Sequence, residues 1–302
     1  MALVNLNFES KYLRCNNDVT VILPDKPRGA DPKDFYTSGN KYKVLWLLHG
    51  TFGDHTDWYR HTNIELYACE KEVIVVMPSA INTNYQNWPY FGTGYYFFDY
   101  VTEELMPLIQ NWFPASGKRE DNFIAGLSMG SRGAFRFVTK CPEKFAGAAM
   151  LSASPHDYDS DSDYLNSIMT KNRQDLKAMS TNYKGPFDQA FRDMRMLNEI
   201  DNNGGSVCAY LEGENMWREA KKLAHNKNCP KLLFAIGTED PLFSEYQHFK
   251  EYAEEIGLKA VFMEEKGYKH EWRFWDKYIE KALEFFGMHG ETGGKEFVEK
   301  QN

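Results

Sequence analysis

The sequence predicts an α/β fold, with a mostly parallel, doubly wound sheet flanked by helices and a helical cap inserted into it. Apolar runs without polar alternation indicate strands buried on both faces. Segments with helical periodicity separate these runs, which is the rhythm of βαβ units. One polar segment, about 154–228, interrupts that rhythm and is predicted to be the cap. The 302 residues are enough for one large domain, which we place at 1–288, followed by a flexible tail at 289–302.

The individual elements follow from these patterns in chain order. The predicted strands are residues 19–23, 44–48, 73–78, 122–125, 146–151, 231–237 and 260–263. The predicted helices are residues 57–70, 101–112, 131–138, 244–256 and 273–286, with helical pieces around 161–178 and 186–200 in the cap. Pro107 should kink its helix or cost it a hydrogen bond, because proline has no backbone N–H. An aromatic-rich loop at 79–97 either lines a pocket or covers the edge of the core.

A G-x-S-x-G pattern at residues 126–130 joins a predicted strand to a predicted helix. Such a turn holds its serine, here Ser128, in a strained backbone conformation with the Oγ exposed. Glycines two positions on either side let the strand and helix pass closely without a Cβ clash. The helix N-terminus offers free N–H groups to an oxyanion. An ordinary strand-to-helix turn is the alternative interpretation of these five residues alone.

An H-G-x-x-G pattern at residues 49–53 follows the second predicted strand. In serine hydrolases, one oxyanion donor is the N–H of the residue after the nucleophile, and the other comes from a loop after an earlier strand. These donors would be Met129 and Thr51, with Phe52 as the less favoured alternative to Thr51. His49 is then expected to shape the loop and not to act as the catalytic base. A plain strand-to-helix turn is the alternative for this pattern.

A base and an acid with the right order along the chain follow Ser128. Acyl transfer by serine needs a histidine to take the Oγ proton and a carboxylate to orient it. Asp240 and His270 each follow a late parallel strand, so both should reach the edge where Ser128 lies. Among the eight histidines, His270 alone has this placement. Glu239 is the alternative acid, and Asp240 is preferred because its shorter side chain beside Pro241 suits a rigid turn.

Charge and composition argue against several classes of function. A formal charge of -8 and a pI of about 5.6 disfavour nucleic acid as a partner. The chain has neither an apolar run of membrane-spanning length nor a signal-peptide pattern at its start, so a cytoplasmic protein is expected. Five scattered cysteines without a C-x-x-C pair favour reduced thiols over disulfides or zinc.

The chemistry predicted here needs no metal and no organic cofactor. An acidic cluster in the cap could suggest calcium, but it lacks an ordered calcium-loop pattern, which favours a solvated acidic surface. The cluster consists of Asp157, Asp159, Asp161 and Asp163.

Five separate strings, in this order, resemble the esterase D group of α/β-hydrolases: LLHGTFGDHTDWYRHTNIE, VIVVMP, FIAGLSMGSRGAF, IGTEDPLF and GYKHEWRFWDKYIEKALEFF. The likeness covers roughly residues 5–286 and is strongest to the bacterial tributyrin-esterase and acetyl-esterase branch. S-formylglutathione hydrolases, feruloyl esterases and mycolyltransferases are relatives of that branch. The resemblance implies a single α/β-hydrolase domain. It also implies site residues, which are the triad Ser128, Asp240 and His270 and the oxyanion donors Thr51 and Met129.

The sequence departs from that group at two places. Ser131 stands where the group usually has a second glycine after the G-x-S-x-G pattern, which bears on the packing of the helix that follows. The 154–228 segment is longer than in the simplest members. Because substrate choice often resides in that segment, the departure bears on specificity.

These observations predict a serine carboxylesterase that hydrolyses short acyl esters such as acetyl and butyryl esters. The resemblance adds acetyl or feruloyl groups on plant polysaccharide as natural acyl sources. Trp58, Asn63 and Trp272 are candidate substrate-binding residues because each lies near a site loop, and a structural role is the alternative for each. The expected partner is a small-molecule ester, with no nucleic acid and no membrane, and a homo-oligomer stays open.

Three alternative functions accompany this prediction. A thioesterase of the S-formylglutathione hydrolase type is the nearest alternative enzyme. Acyl transfer to a sugar or alcohol differs from hydrolysis only in the second nucleophile. A non-catalytic binding protein is the alternative of another class, and the intact Ser, Asp and His in order argue against it.

Overall fold

A computed structural model describes residues 2–153, 155, 157, 162–182, 184–185 and 187–289. Its strands are β1 (Ala2–Ser10), β2 (Cys15–Leu23), β3 (Lys43–Leu48), β4 (Val73–Pro78), β5 (Asn87–Trp88), β6 (Tyr95–Tyr96), β7 (Asn122–Leu127), β8 (Gly147–Leu151), β9 (Lys231–Gly237) and β10 (Ala260–Glu265). Its helices are α1 (Pro32–Tyr36), α2 (Asp57–His61), α3 (Ile64–Glu70), α4 (Phe97–Asp99), α5 (Met106–Trp112), α6 (Met129–Lys140), α7 (Ser162–Met169), α8 (Arg173–Thr181), α9 (Gln189–Asn202), α10 (Val207–Glu214), α11 (Met216–Ala224), α12 (Phe243–Glu255) and α13 (Trp272–Phe285). Apart from residue 289, the predicted tail lies outside the described residues.

One eight-stranded sheet organises the chain, in the order β1-β2-β4-β3-β7-β8-β9-β10. The strand β2 is antiparallel to both of its neighbours, and every pair from β4 to β10 is parallel. The prediction of a mostly parallel α/β fold is therefore confirmed. The edge strand β1 was not predicted, although Val4, Leu6 and Phe8 alternate with polar residues as a half-buried strand requires.

Apolar side chains cover both faces of this sheet, as the unbroken apolar runs predicted. One core cluster includes Trp46, Ile124 and Phe234, and the other includes Leu45, Ala125 and Leu233. Neighbouring residues along each strand thus enter opposite cores. No helix in the described part of the chain has both the length and the apolar character needed to cross a membrane.

Two predicted helices differ from the observed ones. The single helix expected at 57–70 is split into α2 and α3, because the chain turns at Asn63 to dock on α13. There the backbone N–H and side-chain amide of Asn63 donate to the Asp276 carboxylate at 2.8 and 3.1 Å. The helix expected at 101–112 is a π-helical segment, Tyr100–Leu105, followed by α5. Pro107 lies at the start of α5, directly after the π-helical segment, so the irregular part of the helix immediately precedes the residue that lacks a backbone N–H.

The described residues of the cap form five helices, α7 to α11, between β8 and β9. Four of them share a small core that is separate from the sheet: Leu165, Ile168, Leu176, Leu197, Ile200 and Tyr210. The last helix, α11, instead packs Met216, Ala220 and Leu223 into the main core. The cap helices with a core of their own are therefore α7 to α10.

Within the described residues, the cysteines form no disulfide and the acidic residues form no cluster suited to a metal ion. All five cysteines are described, and each is a free thiol. Asp159 and Asp161 of the acidic cluster lie outside the described residues. Within the residues that are described, no three His, Cys, Asp or Glu side chains are arranged to hold a metal ion.

Candidate active site

Ser128 lies in the turn between β7 and α6 with φ 51° and ψ −114°. A left-handed backbone is unusual for a residue other than glycine and marks local strain. The Ser128 N–H donates to the Leu151 carbonyl of β8 at 2.9 Å, which ties the turn to the neighbouring strand. Ser128 is half-buried between fully buried residues, so its side chain reaches the surface at this point.

The two glycines of the pattern permit this turn because backbone passes them closely. A Cβ on Gly126 would lie 2.3 Å from the carbonyl oxygen of Gly130. A Cβ on Gly130 would lie 2.4 Å from the carbonyl oxygen of Leu48. Ser131, where the resembling group has glycine, is buried and donates its hydroxyl to the Ser128 carbonyl at 2.5 Å. The extra side chain is thus accommodated within the turn itself.

The loop at residues 49–53 adjoins the Ser128 turn. A Cβ on Gly50 would lie 3.6 Å from the Ser128 Cβ. The Phe52 N–H donates to the Asn82 side chain at 2.9 Å, so it is already engaged. Among the described residues, neither the Thr51 N–H nor the Met129 N–H donates to a protein acceptor. This arrangement favours Thr51 over Phe52 as the second oxyanion donor.

His49 anchors the start of that loop and is held neutral. Its Nδ1–H donates to the Gly50 carbonyl at 2.7 Å, and its Nε2 accepts from the Ala80 N–H at 2.8 Å. Burial lowers the pKa of His49 to about 4, against the usual 6.5. A neutral imidazole with both nitrogens engaged is a structural group and has no free nitrogen for catalysis.

Asp240 and His270 meet at the carboxyl edge of the sheet. The His270 Nδ1–H donates to Asp240 Oδ2 at 2.8 Å, and the other Asp240 oxygen accepts from the Leu242 N–H at 2.9 Å. Asp240 is buried, whereas the side chain of Glu239 is exposed. The structure therefore brings Asp240 to the histidine and leaves Glu239 outside. With Nδ1 carrying a proton, Nε2 is the basic nitrogen of His270.

Two residues that the sequence analysis missed link His270 to the end of β8, which accepts a hydrogen bond from the Ser128 turn. The Trp275 ring packs edge-on against His270 at a centroid distance of 5.0 Å. Its indole N–H donates to Ser152 Oγ at 2.9 Å. Ser152 directly follows Leu151, which accepts from Ser128, and it has φ 51°. No hydrogen bond joins Ser128 Oγ to His270 within the described part of the chain.

The three candidate substrate-binding residues lie at the start of α2, between α2 and α3, and in α13. Trp58 is 1% exposed and donates its indole N–H to the Leu48 carbonyl at 3.0 Å, so it is a core residue and no pocket wall. Asn63 is engaged with Asp276, which also gives it a structural role. Trp272 is half-buried and stacks on His61 at 4.7 Å. Asn63 is exposed, so Asn63 and Trp272 both keep accessible surface, whereas Trp58 does not.

Comparison with known proteins shows which family the chain is similar to. The model of the Esterase family matches residues 10–286. An acetyl esterase of Caldicellulosiruptor saccharolyticus is 31% identical over 292 residues, covering 94% of this chain and 98% of that protein. Fluorophosphonate-binding serine hydrolase F of Staphylococcus aureus is 28% identical with a TM-score of 0.72, and it covers 94% of this chain and 98% of its own. The S-formylglutathione hydrolase of the same organism is 27% identical with a TM-score of 0.71 and the same coverage.

The family match spans most of the chain, and the structural neighbours confirm the α/β-hydrolase fold and the resemblance to the esterase D group. The chain belongs to the Esterase family, and it is a carboxylic ester hydrolase.

Proposed function

We propose that this protein is a serine carboxylesterase that hydrolyses short-chain acyl esters through an acyl-enzyme. The observation that carries the proposal is the hydrogen bond between His270 and the buried Asp240, at the sheet edge where Ser128 occupies a left-handed turn. A buried carboxylate on Nδ1 selects the tautomer whose Nε2 can accept a proton. The edge-on packing of Trp275 keeps the ring in that orientation.

The reaction follows from these placements. Ser128 Oγ attacks the ester carbonyl while its proton passes to Nε2 of His270. The N–H groups of Thr51 and Met129 stabilise the oxyanion, and each such donor is worth about 3 kcal/mol in the transition state. His270 then protonates the leaving alcohol, which departs and leaves the acyl group on Ser128. Water attacks the acyl-enzyme with His270 again as base, and the acid is released.

The substrate is proposed to carry a short acyl group. The similarity to an acetyl esterase over nearly the whole chain supports acetyl esters, and butyryl esters are proposed as a further short-chain substrate. Acetyl or feruloyl groups on plant polysaccharide are proposed as natural sources. Phe52 is 51% exposed and Phe187 is 39% exposed, so both offer apolar surface beside the site. The cytoplasmic location and the single-domain boundaries stay predictions.

A thioesterase is the second candidate, because the S-formylglutathione hydrolase of Staphylococcus aureus is similar over 94% of this chain. The same triad and oxyanion donors would cleave a thioester, since only the leaving atom differs. Transfer of the acyl group to an alcohol would use a second nucleophile other than water. Membership of a family of esterases sets the non-catalytic alternative aside.

The test measures hydrolysis of p-nitrophenyl esters from acetate to decanoate, together with S-formylglutathione. Turnover is expected to be highest on acetate and butyrate and to vanish in Ser128→Ala. A fluorophosphonate probe should label Ser128, as located by peptide mass spectrometry. Ser131→Ala is the matched control, because this neighbouring serine donates to the Ser128 carbonyl and has no nucleophilic role. The proposal fails if the wild-type protein neither turns over any ester nor reacts with the probe.

A further inference from the structure

The cap helix α9 lies over both loops of the candidate active site. Phe187, just before α9, packs edge-on against His270 at 5.3 Å between ring centroids. Phe191 lies 5.3 Å from the ring of Phe52. Arg195 is four residues further on, and residues spaced by four share one face of a helix. One face of the cap therefore contacts the base at one end and the oxyanion loop at the other.

Arg195 uses all three nitrogens of its guanidinium in this position. Nη1 donates to Thr51 Oγ1 at 3.1 Å, and Nε donates to Glu199 Oε1 at 3.2 Å. Nη2 donates to the side-chain oxygen of Asn84. The Arg195 side chain is only 19% exposed. Because the guanidinium is planar, three bonds in fixed directions hold it in one place.

The partner of Arg195 is itself rigidly held. Glu199 is 1% exposed, and its second oxygen accepts from the Tyr210 hydroxyl at 2.7 Å. Its first oxygen also accepts from the side-chain amide of Asn84. The Asn84 carbonyl accepts from Arg136 Nε at 3.3 Å, and Arg136 is on α6, the helix that begins directly after Ser128. Arg195 thus reaches Thr51 from a buried network anchored in the cap and in the nucleophile helix.

The oxyanion loop needs support of this kind. Phe52, next to Thr51, has φ 68°, a backbone conformation that a bulky side chain rarely adopts without external contacts. Asn82 binds the Phe52 N–H, and Arg195 binds the Thr51 side chain. Oxyanion donors act only when they are held within a few tenths of an ångström of the reacting oxygen.

We propose that Arg195 is a positioning residue for the oxyanion hole: through Thr51 Oγ1, it holds the loop whose Thr51 N–H receives the oxyanion. The inference rests on the proposed catalytic role of Thr51. Glu199 largely neutralises the guanidinium, so Arg195 acts by geometry more than by charge. The cap then contributes to the rate of the reaction as well as to the choice of substrate.

The test is a double-mutant cycle between Arg195→Met and Thr51→Val on p-nitrophenyl acetate. Valine keeps the Thr51 N–H and the shape of the side chain but removes the acceptor Oγ1. Each single variant is expected to lower kcat about 10-fold with KM changed less than about 2-fold, and the double variant should be no worse than the singles. The kcat of Arg195→Lys should fall between those of Arg195→Met and wild type, because one ammonium can replace only some of the hydrogen bonds of the guanidinium.

Arg192→Met is the matched control, since this arginine of the same helix pairs with Glu245 at 3.8 Å and does not touch Thr51. It should keep the wild-type kcat. A wild-type kcat in Arg195→Met, or an additive loss of about 100-fold in the double variant, would overturn the inference. If Arg195→Met fails to fold, Thr51→Val serves as the test by itself. A wild-type kcat in Thr51→Val would then overturn the inference. A wild-type protein without turnover or labelling is a different result, because it removes the proposed function itself.

Discussion

Lowering the pH from 7.5 to 5 is expected to destabilise this protein through one buried side chain, His49. The folded protein holds the pKa of His49 at about 4 by burial, against 6.5 for an ordinary histidine. Between these two values the unfolded chain binds the proton and the folded chain does not. The free energy of unfolding is therefore unaffected by His49 above pH 6.5 and falls as the pH drops towards 4.

The magnitude follows from the two pKa values. Protonation of His49 costs the folded state about 3 kcal/mol in full, and about 2 kcal/mol of this loss is reached by pH 5. His49 is 1% exposed, so solvent screening offers little relief. A protonated Nε2 would also face the Ala80 N–H that it now accepts from at 2.8 Å. The oxyanion loop, which His49 begins, should loosen in the same pH range.

The assay is urea unfolding of wild type and His49→Gln at pH 7.5 and pH 5. The variant should have a lower free energy of unfolding than wild type at pH 7.5. This difference should shrink by about 2 kcal/mol at pH 5, because wild type loses stability through protonation of His49 and the variant does not. Tyr85→Phe is the control, since it removes a 2.8 Å hydrogen bond to the His49 carbonyl and keeps the imidazole. The difference between its free energy of unfolding and that of wild type should be the same at both pH values. A deficit of His49→Gln that does not change with pH would refute the linkage argument.

Three further perturbations test other parts of the site. Asp240→Asn should lower kcat on p-nitrophenyl acetate about 10⁴-fold while circular dichroism stays unchanged, because the amide no longer selects the tautomer of the histidine; a loss below about 10-fold would contradict its role. Gly130→Ala should reduce the free energy of unfolding in urea by about 2 kcal/mol or more, because its Cβ would meet a backbone oxygen at 2.4 Å. Gly29→Ala, with nothing within 4 Å, is the control and should be near neutral. Trp275→Phe leaves the buried Ser152 hydroxyl without its 2.9 Å donor and should lower the free energy of unfolding in urea by about 1 kcal/mol. An unchanged urea midpoint would contradict a stabilising role for this hydrogen bond.

The elements that carry the site were predictable because local rules determine them. Unbroken apolar runs located β3, β4, β7, β8 and β9, and the carboxyl-edge rule then placed Asp240 and His270 on adjoining loops. The glycines of the turn at Ser128 were predictable for the same reason, since close passage of a strand and a helix leaves no room for a Cβ.

Other features depend on contacts between distant parts of the chain. The break between α2 and α3 depends on Asp276, which is 213 residues away from Asn63. The contact between Arg195 and Thr51 spans 144 residues and depends on how the cap folds over the sheet. Trp58 looked like a pocket residue because it lies near a site loop, whereas its indole in fact fills the core. Spacing along the chain carries no signal for such contacts.

The cap contacts the site through two kinds of side chain, and the difference has a consequence for specificity. Phe187 is partly exposed beside His270, so substitutions there change the apolar surface offered to a substrate. Arg195 is mostly covered and is held by three hydrogen bonds, so its effect is expected on the oxyanion loop and hardly on substrate shape. Phe187 lies just before α9 and Arg195 lies within it, eight residues apart in the sequence. A cap that shifts as a unit to fit a larger acyl group would therefore also displace Thr51, which links acceptance of larger substrates to a lower kcat.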